Sequence, residues 1–315
     1  MAESSRASVR CGIILSGGDG ERLRPFVRRL RGDDLPKQYV DFTGAGSLFE
    51  HTVRRAETLI APSRLFTVVS RDHFAYPEVW RQLADRPGGR VVAQPENRDT
   101  APGLLLPLAH LSARYPDAVV AVFPSDHHLD DDGTFMAHVD LACRVVERRV
   151  SHVVLLGVEP TGPDPEYGYI LPGDPASHPA VTGLRHVRRF VEKPDAGRAG
   201  DLVRRGGLWN TFVMVFRAET LWAFVREAAP VLSGAFGRIR LAVGTTAERA
   251  ITEEVYRRLP PMNFSRGLLR ALPSREFPWL TVLPVRGVTF SDCGAEARLS
   301  AAMRPAEPLA QPLCA

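Results

Sequence analysis

Five short apolar runs divide the first half of the chain: Cys11-Gly12-Ile13-Ile14-Leu15, Leu65-Phe66-Thr67-Val68-Val69, Arg90-Val91-Val92-Ala93-Gln94, Ala118-Val119-Val120-Ala121-Val122-Phe123 and His152-Val153-Val154-Leu155-Leu156-Gly157. Consecutive apolar residues put apolar side chains on both faces of a strand, which suits a parallel sheet covered on both sides. The stretches between the runs supply the covering helices. Ser47-Leu48-Phe49-Glu50 is a capping box opening a helix through Ile60. Further helices are predicted from about Thr100 to Tyr115 and from Met136 to Arg149. Strand and helix alternate, so the chain is predicted to be α/β with a mostly parallel, Rossmann-like sheet. In such sheets the binding crevice lies outside the carboxyl ends of the strands, and the residues following each run are where chemistry is expected.

The stretch after the first run is Leu15-Ser-Gly-Gly-Asp-Gly-Glu-Arg-Leu-Arg-Pro25, followed by a basic segment and Leu35-Pro36-Lys37-Gln38. Gly17, Gly18 and Gly20 let the backbone turn tightly and bring its N–H groups to anionic oxygens. Arg22, Arg24 and Lys37 add the positive charge a polyphosphate needs. A Walker loop would end in Gly-Lys-Ser or Gly-Lys-Thr, which is absent. A dinucleotide fingerprint would place a third glycine where Leu23 stands and an acidic residue after the second strand, where Val68-Val69-Ser70 has none. A solvated glycine turn is the plain alternative, and the Arg-Leu-Arg-Pro and Pro-Lys-Gln that follow argue against it.

Gly-Gly-Asp-Gly-Glu-Arg-Leu-Arg-Pro with the later Pro36-Lys37-Gln38 resembles the signature of the sugar-phosphate nucleotidyltransferases, and within them the mannose-1-phosphate guanylyltransferases. The resemblance runs from Cys11 to Arg304. It implies the nucleotide-diphospho-sugar transferase type of sheet with an inserted, sugar-binding α+β portion. It also implies GTP or another nucleoside triphosphate and a sugar 1-phosphate as substrates, with Mg²⁺ as cofactor. Arg22 and Lys37 would then be the catalytic cations, and Leu15, Gly17, Gly18 and Gly20 the triphosphate loop. Gln94-Pro95-Glu96-Asn97-Arg98-Asp99-Thr100-Ala101-Pro102 is similar to the guanylyltransferase loop that faces base and ribose, which assigns Gln94, Glu96, Asn97 and Thr100 to the nucleotide. Asp99 or Thr100 would also cap the next helix.

Asp126, after the fourth run, and Asp292, in Phe290-Ser291-Asp292-Cys293-Gly294, are the candidate metal carboxylates, since Mg²⁺ takes one or two protein carboxylates and completes its shell with phosphate and water. The second of them matches the family's Ser-Asp-x-Gly turn. Asp130-Asp131-Asp132 reads as a solvated turn, and His127 and His128 as loop residues. Tyr167-Gly168-Tyr169-Ile170, Val191-Glu192-Lys193-Pro194 and Trp209-Asn210-Thr211 look like the family's sugar-phosphate contacts. Gly168 would admit the sugar ring, Glu192 and Asn210 would bind its hydroxyls, and Lys193 its phosphate.

Three positions depart from that pattern. The segment between Pro25 and Pro36 is longer, which bears on where Lys37 sits. Phe212 stands where the family has glycine. Met262-Asn263-Phe264-Ser265-Arg266-Gly267-Leu268-Leu269 replaces an acidic-aromatic motif ending in Glu-Lys, leaving Arg266 or Arg270 to supply the missing charge.

Beyond Gly157 the texture changes to short strands at Tyr167–Leu171, His186–Val191 and Thr211–Phe216, helical stretches at Ala218–Ala228 and Glu248–Leu259, and a strand at Leu280–Val285. The expected organisation is a flexible N-terminus over 1–10, a nucleotide-binding half over 11–160, a sugar-phosphate portion over 161–304 completing the same domain, and a flexible tail over 305–315. A net charge of +4 over 315 residues suits anionic small substrates and is too dilute for nucleic acid. Arg28-Arg29-Leu30-Arg31 reads as a solvated face. Met1–Arg10 has no apolar core, no apolar segment is long enough to span a bilayer, and Cys11, Cys143, Cys293 and Cys314 lack Cys-x-x-Cys spacing. A cytoplasmic protein with free thiols and no membrane partner, open to homo-oligomerisation, is the expectation. Two other readings remain at the sequence level: the same chemistry as a thymidylyl or uridylyl transferase, and a non-catalytic regulator that binds nucleotide sugars.

Overall fold

The computed structural model describes residues 8–176, 178, 181–269 and 279–302. Arg270, most of the N-terminal 1–10 segment and the tail beyond Arg304 lie outside the described residues. The strands are β1 (Arg10–Ser16), β2 (Leu65–Ser70), β3 (Val91–Gln94), β4 (Val119–Pro124), β5 (His128–Leu129), β6 (Val153–Val158), β7 (Gly168–Pro175), β8 (Arg185–Glu192), β9 (Leu208–Arg217), β10 (Leu280–Val285) and β11 (Phe290–Ser291). Nine of them, all but β5 and β11, form one sheet in the order β3-β2-β1-β4-β9-β6-β10-β8-β7.

β1 to β4 are mutually parallel where they pair, and β6 and β10 are parallel to each other. β9 enters from the second half of the chain between β4 and β6 and runs antiparallel to both. β8 is antiparallel to β10 and β7. Two strands, β8 and β9, therefore run against the other seven, so the sheet is mostly parallel.

The apolar runs bury both faces. In β1, Ile14 joins one apolar cluster and Ile13 the opposite one; in β4, Val119, Ala121 and Phe123 face one way and Val120 and Val122 the other. The first cluster is covered by helices Leu48–Glu57 and Asp132–Arg148, through Phe49, Val53, Phe135 and Val139. The second is covered by helices Thr100–Arg114, Ala218–Ala228 and Pro230–Ala242, through Leu104, Leu108, Leu221 and Phe236. Period-2 alternation of the strands thus distributes one continuous apolar sequence between two cores.

Several elements differ from the sequence reading. The capping box at Ser47 forms, with the Ser47 hydroxyl accepting from Glu50 N–H and the Glu50 carboxylate accepting from Ser47 N–H. Its helix ends at Glu57 rather than Ile60, because the amides of Thr58 and Leu59 tighten onto the carbonyls of Arg55 and Ala56 three residues back. The Met136 helix starts at Asp132, because Asp131 caps it by accepting from Thr134 N–H at 2.9 Å. The acidic triplet is therefore a cap, and Asp132 pairs with the buried Arg55. Helix Pro230–Ala242 is not legible from propensity, since it holds Gly234 and Gly237; burial of Leu232, Phe236 and Ile239 decides it. Helices Arg24–Arg31, Pro77–Leu83, Ala196–Arg204 and Glu296–Ala302 are likewise additions. No helix among the described residues is long and apolar enough to cross a membrane.

Candidate active site

A cavity of about 670 Å³ opens at the carboxyl ends of β1, β3 and β4. It is lined by the glycine loop and by Lys37, Gln94, Asn97, Thr100, Asp126, Gly168, Glu192, Lys193, Asn210 and Asp292. Leu15 and Arg22 complete the set of sequence candidates on its wall. Glu96 is the exception: it is absent from the lining, and its carboxylate pairs with Arg98 at 2.7 Å.

The glycine loop is shaped by side chains that hold its carbonyls. Gln38 Nε2 donates to the carbonyls of Ser16 (3.2 Å) and Gly18 (2.7 Å), and Gln94 Nε2 donates to that of Gly17 (3.1 Å). A Cβ on Gly17 would stand 2.5 Å from Gln94 Nε2, so a side chain here would push the Gln94 amide off the Gly17 carbonyl it holds. Gly20 turns the chain at φ 61° into the short helix Glu21–Leu23. With the carbonyls held, the N–H groups of Gly18, Asp19 and Gly20 have no acceptor among the described residues. That arrangement is a nest for an anion. Asp19 braces the loop: its carboxylate lies 3.1 Å from His73 Nε2 and accepts from Asn97 Nδ2 at 2.8 Å, and the His73 bond, followed by that of Asn97, outweighs burial and lowers its pKa.

Lys37 reaches the cavity wall from the segment that follows a short helix. The residues between the glycine loop and Pro36 form helix Arg24–Arg31, closed by Gly32 at φ 84°, and Arg28 and Arg31 fold back onto Asp34 and Asp33. The Lys37 side chain is 7% exposed, and its Nζ sits 3.0 Å from Asp126 Oδ2 while donating to the carbonyls of Asp292 and Cys293 at 2.9 Å each. It ties together two segments 166 residues apart in sequence. The pairing of β5 with β11, Phe290 opposite Leu129 and Ser291 opposite His128, makes that juncture possible. Burial pushes the Asp126 carboxyl up, and Lys37, aided by His127, more than reverses this, so its pKa lies below the usual carboxylate range. His127 packs edge-on against Phe290 at 5.0 Å, and burial holds its pKa down.

Asp292 is oriented by a residue that sequence reading missed. Arg298, from helix Glu296–Ala302, donates from Nε to Asp292 Oδ1 at 3.0 Å and from Nη1 to Asp164 Oδ2 at 3.1 Å, and its guanidinium lies over the Tyr167 ring. No motif marks it; only the folding of the C-terminal helix onto the loop brings it there. Asp292 Oδ2 is left toward the Arg22 Nη2, 3.8 Å away. Arg22, half exposed, is held by Glu166 at 2.7 Å.

On the other wall, Gly168 has Glu192 and Asn210 beside it: a Cβ there would come 2.7 Å from Glu192 Oε2, 3.2 Å from Phe190 and 3.6 Å from the Asn210 Cβ. Burial raises the Glu192 pKa, against Arg266 and then Lys193. Arg266 therefore lies within electrostatic reach of this wall. Asp99 caps the helix at Thr100, accepting from Thr100 N–H at 2.6 Å. The Met262–Phe264 segment docks onto the same turn: Asn263 Nδ2 donates to Asp99 Oδ1 (3.1 Å) and Phe264 N–H to Thr100 Oγ1 (2.8 Å).

A family model described as nucleotidyl transferase matches residues 11–235. The alginate biosynthesis protein AlgA of Pseudomonas fluorescens is 37% identical over 224 residues, 69% of this chain and 44% of its own length. A mannose-1-phosphate guanylyltransferase of Escherichia coli is 30% identical over 208 residues, 66% of this chain and 42% of its own. A solved structure described as mannose-1-phosphate geranyltransferase, from Thermus thermophilus, superposes with a TM-score of 0.76 at 30% identity, covering 94% of this chain and 79% of that one. The chain spans a little under half the length of the curated relatives it matches.

Proposed function

Because the chain belongs to the nucleotidyl transferase family, we propose that it condenses a nucleoside triphosphate, GTP first among them, with a sugar 1-phosphate, mannose 1-phosphate first among them, to give a nucleotide sugar and pyrophosphate. One observation carries the reading: beneath a glycine loop with unpaired N–H groups, Lys37 joins the Asp126 carboxylate to the Asp292–Cys293 backbone at the strand ends. A binding turn alone has no use for two carboxylates beside an anion nest.

In the reaction, a sugar-phosphate oxygen attacks the α-phosphorus in line, the bond to the β-phosphate oxygen breaks, and pyrophosphate leaves. The attacking phosphate is already ionised, so no general base is needed. The task is positioning and neutralisation of charge. The loop amides receive the phosphates, and Arg22 exchanges Glu166 for phosphate oxygens as the triphosphate enters. Lys37 holds the two aspartate segments in register and sets the local positive potential. Gln94, Asn97 and Thr100 face the nucleoside; Gly168, Glu192, Lys193 and Asn210 face the sugar phosphate.

Mg²⁺ fits the donor set: Asp126 and Asp292 offer hard carboxylate oxygens on the cavity wall, and Mg²⁺ takes one or two protein carboxylates beside phosphate and water. Asp126 and Asp292 would hold the ion, and it would supply charge neutralisation at the phosphates. In this reading residues 11–160 serve the nucleotide and 161–304 the sugar phosphate. The test is pyrophosphate release with Mg²⁺, pairing GTP, UTP, dTTP, ATP and CTP with mannose 1-phosphate and glucose 1-phosphate. Turnover with GTP and mannose 1-phosphate is expected; another productive pair replaces the substrate and keeps the mechanism; silence across the panel removes the proposal.

A further inference from the structure

Phe212 occupies a backbone conformation that suits glycine. Its φ is 58°, in the left-handed region, where a bulky side chain is strained. The surrounding chain enforces it. Between Leu155 and Gly157 of β6 and their partners Met214 and Asn210 of β9, the register shifts, so that β9 carries two extra residues as a bulge. The bulge is pinned at three points: the Thr211 hydroxyl donates to the Leu156 carbonyl at 2.8 Å, Val213 N–H donates to Thr211 Oγ1 at 3.1 Å, and Phe212 N–H donates to Asn210 Oδ1 at 3.1 Å. Bulges of this kind re-aim side chains beside active sites, and strain is retained where the surrounding structure over-determines it.

The re-aimed residue is on the cavity wall. Its ring meets Phe264 edge-on at 5.7 Å, and its backbone is hydrogen-bonded by Asn210, whose Cβ is 3.6 Å from the Cβ position of Gly168. Phe212 therefore adjoins the amide and carboxylate wall of Asn210 and Glu192. An aromatic face beside an amide and a carboxylate suits a pyranose, whose axial C–H groups pack on a ring while its hydroxyls hydrogen-bond to the polar groups alongside. Phe264 backs the ring and is fully buried.

We infer that Phe212 is a specificity-determining residue that packs against the sugar ring of the sugar 1-phosphate. This rests on the nucleotidyl-transfer reading and deepens it. Turned by the bulge, the ring takes room that glycine would leave open, and so selects among sugars by shape.

The test compares GDP with GDP-mannose by titration calorimetry on the full chain as wild type, Phe212→Gly and Phe212→Leu. The gain in affinity from GDP to GDP-mannose measures the sugar contact. Glycine is at home at this φ, so the first variant should retain its fold, checked by its melting temperature. It should lose about tenfold in GDP-mannose affinity while GDP affinity stays within about twofold. Phe212→Leu, which keeps apolar volume without a flat face, should lie between the two. A merely structural role would leave the GDP-mannose to GDP ratio unmoved, and that outcome overturns the inference alone. A parallel loss for both ligands leaves that ratio unmoved and overturns it equally. Failure of the wild type to bind GDP would overturn this inference and the choice of GTP in the proposed function, leaving nucleotidyl transfer itself to the pyrophosphate assay.

Discussion

Lys37→Met keeps most of the aliphatic volume of the side chain and removes its charge. The Lys37 Nζ is buried and makes three contacts, two to backbone carbonyls at 2.9 Å and one to Asp126 at 3.0 Å. Each charge-assisted bond to a buried carbonyl contributes about 1.5 kcal/mol. The Asp126 carboxylate is 34% exposed, so the ion pair is discounted for solvent screening to about 0.5–1 kcal/mol. Together the loss is about 4 kcal/mol, which for a chain of this length lowers the melting temperature by about 6 °C.

The loss has a pH signature. In the wild type the folded pKa of Asp126 is depressed, so its contribution to stability is present above the unfolded carboxylate pKa and disappears as pH falls through the folded value. Without Lys37 the depression goes, since burial alone raises that pKa. The gap between wild type and variant should therefore be widest near pH 7 and should narrow below about pH 4, leaving only the part due to the two carbonyls. Urea unfolding followed by tryptophan fluorescence from pH 3 to pH 7 measures it. A variant as stable as the wild type at pH 7, or a gap that does not change with pH, would refute the bracing role assigned to Lys37.

Two further outcomes follow from the same geometry. Asp126→Asn preserves shape and one acceptor oxygen while removing the charge, so turnover in the pyrophosphate assay should fall by about 10³-fold with a melting temperature close to that of the wild type; full activity would remove Asp126 from the proposed metal site. In Gly168→Ala the new methyl meets Glu192 Oε2 at 2.7 Å and Phe190 at 3.2 Å, so Glu192 must turn aside; the KM for the sugar 1-phosphate should rise about tenfold, about 1.4 kcal/mol, with the KM for GTP unchanged, and equal rises in both would sink the assignment of this wall to the sugar.

The local grammar of the chain was readable without coordinates. Consecutive apolar residues in Cys11–Leu15 and Ala118–Phe123 fixed buried parallel strands, because only a sheet covered twice can hide both faces of such a run. Ser47 with Glu50 fixed a helix start, because the two backbone donors there need side-chain acceptors. The glycines after β1, Lys37, Gln94 and Asp126 could be placed in one crevice, because strand ends in an α/β sheet face the same way.

What the tertiary structure decided is where long-range partners meet. Arg298 orients Asp292 through a helix that no motif announces, and Glu96, inside the motif, turns out of the cavity to Arg98. Lys37 lies on the cavity wall although helix Arg24–Arg31 stands between it and the glycine loop in the chain. Phe212 holds a glycine-like φ because β9 crosses into the sheet against β4 and β6 with two residues to spare, and three hydrogen bonds pin the excess. Spacing in a sequence carries periodicity and capping, which are local. Register between strands 55 residues apart, and the burial of an ammonium among carbonyls from the far end of the chain, depend on which surfaces the whole fold presses together.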